Sequence, residues 1–179
     1  MSQTAPAPQA GAPAGAQAPL VVNIQYVKDL SFEVPGAPAI FSQLKAQPQV
    51  NINLDVGARR LEEAQHVYEV SLVIRAEAHE GTAPVNGNGA AQSDPGAPLF
   101  VAELTYAGVF TLNGLPDNAV EPVLLVECPR ILFPFARNIL SDVTRDGGFP
   151  PVLLQPIDFV ALWQARRAQV QGAGQTATA

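Results

Sequence analysis

The sequence predicts an α+β fold: an antiparallel sheet with helices packed on one face. Three observations predict it. Hydrophobic residues alternate with a period of two through much of residues 20–111, helical spacing takes over after Pro116, and clusters of Pro, Gly and Asn separate the segments. Strands come first and helices last, without internal repeats, and 179 residues suit one domain with one core.

The elements follow in order. Residues 1–19 hold seven Ala and four Pro without a charge, so this stretch is expected to be a disordered tail. Leu20 to Val27 is a short strand. Pro35, Gly36 and Pro38 force a turn, and Ala39 to Leu44 supply one or two helical turns. Val50, Ile52, Leu54 and Val56 alternate with Asn51, Asn53 and Asp55, which marks a strand with one wet face. Tyr68, Val70, Leu72, Ile74 and Ala76 oppose Glu69, Ser71, Arg75 and Glu77, giving a longer strand over residues 67–80. Residues 81–98 carry four Gly and three Pro around Asn86-Gly87-Asn88-Gly89 and are expected to form a flexible loop. No helix with a lysine follows, as a phosphate-binding loop would require. Residues 99–111 resume strand character, with Phe100, Ala102, Leu104 and Tyr106 on one face and Val101, Glu103 and Thr105 on the other.

Beyond Pro116, Asp117 or Asn118 is expected to cap a helix bearing Val120, Val123, Leu124 and Leu125, interrupted at Cys128-Pro129. A long amphipathic helix over Ile131 to Asp146 repeats Ile131, Phe135, Ile139 and Val143 at steps of four, tolerates Pro134 near its start, and ends at Gly147-Gly148. Asp158 caps a last helix whose stripe is Phe159, Leu162 and Trp163. Residues 171–179 are expected to be a second disordered tail.

Composition narrows function. A net charge of −6 and no clustered Lys or Arg argue against nucleic-acid binding, and suit basic protein partners or plain solubility. The single cysteine forms no internal disulfide. The N-terminus lacks the basic and leucine-rich parts of a signal peptide, and no apolar run nears the ~20 residues of a membrane span, so a cytoplasmic protein without direct membrane insertion is expected. His66 and His79 have no partner at metal-ligand spacing, no serine sits in a nucleophile elbow, and Cys128 reads as a packing residue. No catalytic residue, metal or cofactor is expected.

Two stretches are distinctive. One is Ile24-Gln25-Tyr26-Val27-Lys28-Asp29-Leu30-Ser31-Phe32-Glu33-Val34-Pro35-Gly36-Ala37-Pro38. The other is Cys128-Pro129-Arg130-Ile131-Leu132-Phe133-Pro134-Phe135-Ala136-Arg137, followed by Gly148-Phe149-Pro150-Pro151-Val152 and Pro156-Ile157-Asp158-Phe159. Together they resemble the SecB protein-export chaperone family over about residues 20–165. The resemblance implies a chaperone domain over residues 20–170 with a four-stranded antiparallel sheet and two main helices, assembled as a homotetramer, a dimer of dimers. It implies grooves for unfolded precursor proteins and delivery to the SecA translocase ATPase. Asp29, Glu33, Val101 and Glu103 are the positions it implies for SecA binding; Phe41, Ile52, Leu54 and Trp163 are those it implies for the substrate groove. Lys45-Ala46 stand where the family often carries a Trp. Two rivals remain in view: a general stress holdase or antitoxin-linked chaperone on the same fold, and a small α+β enzyme using Cys128 or a histidine.

Overall fold

The structure, a computed structural model, describes residues 18–44, 47–62, 66–80 and 97–175. Lys45-Ala46, residues 1–17 of the predicted N-terminal tail, 81–96 of the predicted loop and 176–179 of the C-terminal tail lie outside the described residues.

Four strands form one sheet: β1 (Leu20–Glu33), β2 (Gln49–Glu62), β3 (Val67–His79) and β4 (Phe100–Leu112). Their spatial order is β1-β4-β3-β2, and every neighbouring pair is antiparallel. A short helix α1 (Ile40–Gln43) follows β1. After β4 come α2 (Asp117–Pro122), a π-helical stretch Val123–Glu127, α3 (Cys128–Asp146) and α4 (Phe159–Gln175).

The strands form where alternation puts apolar side chains on one face. Val70, Leu72, Ile74 and Ala76 of β3 and Phe100, Ala102 and Leu104 of β4 are buried on that face. Against them α3 lays Leu132, Ala136 and Leu140, a row spaced at one helical turn. α4 leans on the π-helical stretch, and its Phe159 meets Phe133 edge-on at 5.9 Å.

Several boundaries differ from the pattern-based expectation. β1 runs on from Val27 to Glu33, because register shifts between Val22 and Ile24 and between Val27 and Asp29 break the period of two that betrays a strand. β2 continues past Val56 to Glu62, where Gly57, Ala58, Arg59 and Arg60 lack the apolar face. Asp117 is the first residue of α2 rather than its cap, and neither it nor Asn118 makes a capping hydrogen bond; Pro116 holds the cap position. Cys128-Pro129 does not interrupt the helix. The chain stays helical from Asp117 to Asp146, and the wide π turn just ahead of Pro129 makes room for a ring that would otherwise strike the preceding turn. The last helix extends to Gln175, into the segment expected to be a tail.

α3 ends as expected, at a glycine pair. Gly148 has φ +88°, its N–H bonds to the Arg145 carbonyl, and the Phe149 N–H bonds to that of Thr144. A Cβ on Gly147 would lie 2.1 Å from the Phe32 ring, so the chain turns there against an aromatic wall. Asp158 caps α4 through Oδ1, which accepts from the N–H groups of Val160 and Ala161 at 3.0 Å each.

Among the described residues, the face turned away from the helices carries one buried carboxylate. Glu69 on β3 is 6% exposed and accepts from Tyr26 and Lys28 on β1 and Arg59 on β2. Those bonds, the tyrosine's first, hold its carboxyl at about 2 rather than 4.5. Because the folded value is depressed, the stabilisation is complete above pH ~4.5 and disappears as pH falls through about 2. We expect about 1–2 kcal/mol after screening by water over this open face. Urea unfolding of the parent and Glu69→Gln between pH 5 and 2 checks it: only the parent should lose that increment.

Candidate functional site

Two surfaces stand out, on opposite sides of the sheet. The first is an open groove of about 500 Å³ between the start of β2 and the connection from α3 to α4. Its floor includes Val50, Ile52 and Phe100 from the helix-facing side of the sheet. Its other wall is the segment Pro150–Ile157, which is extended because Pro150, Pro151 and Pro156 forbid a helix. Side chains alternate along this wall: Val152 and Leu154 are buried, while Leu153 between them is 62% exposed. Thr144, buried in α3, accepts the Val152 N–H at 3.0 Å and donates to the Leu140 carbonyl at 2.9 Å, which pins the wall to the helix. Among the described residues no charged side chain lines the groove; Gln47 and Gln155 are the polar side chains there.

The groove residues expected from the sequence separate into three places. Ile52, 36% exposed, lies in the groove itself. Phe41 is half-exposed beside it, joined through Phe149 at 5.5 Å to Phe100 in the floor. Leu54 is half-buried on the same strand and packs on the core. Trp163 lies with Asp55, Val56, Leu125 and Arg166 in a separate small crevice; its indole N–H donates to Glu121 at 3.1 Å and Arg167 covers its ring. The sequence reading did not place the Pro150–Ile157 wall in the groove. Its signal was present: prolines framing Val152-Leu153-Leu154 leave one of three apolar neighbours facing water.

The second surface is the helix-free face near the β1 edge. Cross-strand partners project to the same side, and Asp29, Ser31 and Glu33 pair with Thr105, Glu103 and Val101. Asp29, Glu33, Val101 and Glu103 therefore share one face. Asp29 and Glu33 stand ~13 Å apart along β1, and Glu103 sits one strand over and midway between them. The sequence did not single out Arg75 and Glu77 for this surface, yet β3 adds both: Arg75 pairs with Glu77 and Glu103.

Neither surface holds a catalytic constellation. Among the described residues no group of His, Cys, Asp and Glu could hold a metal, and no helix is long and apolar enough to cross a membrane. Cys128 is fully buried, and burial together with the Glu127 charge pushes its thiol up to about 12. Only about one thiol in ten thousand is then ionised at pH 8, so native Cys128 should react with a maleimide roughly 1,000-fold slower than in the urea-unfolded chain. Fast native labelling would revive a thiol enzyme.

A family model described as preprotein translocase subunit SecB matches residues 13–170. The protein-export protein SecB of Acidiphilium cryptum is 66% identical over 155 residues, covering 87% of this chain and 93% of that protein. That of Granulibacter bethesdensis is 68% identical over 164 residues, covering 92% and 88%. Among solved structures, a Mycobacterium tuberculosis SecB-like chaperone in complex with a ChAD peptide from the HigA1 antitoxin matches with a TM-score of 0.59. That match covers 78% of this chain and 91% of the other at 10% identity, a likeness of fold. With its motifs, its sheet and helices, and close relatives matched over most of their length, this chain belongs to the SecB family of protein-export proteins.

Proposed function

We propose that this chain is a cytoplasmic holding chaperone that keeps unfolded precursor proteins competent for export and passes them to SecA. The observation that carries the reading is the open groove whose described lining holds no charged residue. Apolar burial is worth about 25 cal/mol per Å² whatever the side chain's identity, so such a groove binds stretched apolar segments without selecting a sequence. Affinity accumulates when one long chain occupies several grooves. The acidic face, with Asp29, Glu33 and Glu103 around Val101, suits a basic surface of SecA.

Assembly as a homotetramer, a dimer of dimers, has support in what one subunit leaves uncovered. β1 is an edge strand with Val21, Val22, Ile24, Val27 and Leu30 exposed, a hazard for a protein that stays alone. α3 carries a second apolar row beside the one that meets its own sheet. Ile131, Ile139 and Val143 are half-buried there and Phe135 is 50% exposed, stacked on Tyr106 at 6.1 Å. Light scattering with and without an unfolded secretory precursor tests the proposal. We expect a tetramer that takes up one long chain; a monomer that takes up none would refute it. The antitoxin-linked holdase remains a second reading, because the mycobacterial chaperone shares the fold. It keeps the groove and does without SecA.

A further inference from the structure

We propose that Arg75 is a positioning residue of the acidic face, holding the Glu103 carboxylate in the orientation its partner meets. The inference rests on the docking reading above. Arg75 on β3 stands directly opposite Glu103 on β4, on the helix-free side of the sheet. Its Nε donates to Glu77 Oε1 at 3.0 Å, and one terminal nitrogen reaches the same oxygen. The other terminal nitrogen is paired with Glu103. Glu77 thus grips the guanidinium along one edge, and the planar group directs its remaining donors at Glu103. A lysine would supply the charge without that fixed fork.

The location gives the arrangement its use. Glu103 lies midway between Asp29 and Glu33 in register, so it is the central carboxylate of the three. A glutamate on an open face otherwise turns freely about its side-chain bonds, and a partner must restrict it on binding. Arg75 restricts it beforehand. The arginine also cancels one unit of negative charge, so its two effects on a basic partner have opposite signs.

Those opposite signs make the test decisive. Binding of purified SecA to the intact chain is measured for the parent, Arg75→Gln, Arg75→Lys and Glu103→Gln, together with precursor affinity and particle mass. Arg75→Gln should weaken SecA binding about five- to ten-fold although the face becomes more acidic, and Arg75→Lys should recover only part of it. Precursor affinity and mass should not change. If Arg75→Gln binds equally or more tightly while Glu103→Gln binds more weakly, the positioning role is wrong and docking stands. If neither variant changes SecA binding, the docking reading fails as well. Parallel loss of precursor capture or mass in Arg75→Gln also overturns the proposal, since the arginine would then be supporting the sheet.

Discussion

Replacing Ile52 and Leu153 together with aspartate is expected to weaken capture of an unfolded precursor about 100-fold. The two side chains line the groove from different elements, Ile52 in its floor on β2 and Leu153 in its wall on the Pro150–Ile157 segment. Each gives up apolar area to a bound chain worth about 1–2 kcal/mol, and each aspartate would be desolvated by whatever lies in the groove. Both residues already face water, so the substitutions leave the core intact and the unfolding midpoint close to the parent's. A fluorescence titration with a permanently unfolded precursor measures the effect. An unchanged Kd would place the binding surface elsewhere, with the Trp163 crevice next to be tested.

Reversing the charge at Asp29, Glu33 and Glu103 by lysine should abolish detectable SecA binding, a loss of at least about 100-fold, while precursor affinity stays within about two-fold. Glu103 on β4 lies between Asp29 and Glu33, which stand ~13 Å apart along β1. Three lysines there, with Arg75 already present, turn an attractive surface into a repulsive one. The parent's SecA affinity should fall as salt rises, and the variant should show no such dependence. Retained SecA binding by the triple variant would remove the export-specific part of the reading and favour a general or antitoxin-linked holdase.

Much of the sheet was legible because alternation and burial coincide in β3 and β4, where Val70, Leu72, Ile74 and Leu104 each face the helices and their neighbours do not. β1 was legible only to Val27, since its bulges shift the alternation out of phase. α3 shows a different limit. The repeat Ile131, Phe135, Ile139 and Val143 announces a helix, yet the row that meets the sheet is the adjacent one, Leu132, Ala136 and Leu140. Spacing reveals that a helix has an apolar face; with two such rows side by side, it does not say which the subunit uses itself. The acidic positions came from motif resemblance, and the strand register brings them onto one face. The groove was half visible. Ile52 belongs to a readable strand, but Leu153 gains its role from Thr144 and a proline-framed return across about a hundred residues of sequence, which no local pattern encodes.

The groove opens on the helix side of the sheet and the carboxylates on the other, with a single layer of backbone between them. Under the proposed function, a precursor in the groove would leave the acidic face of the same subunit uncovered for SecA.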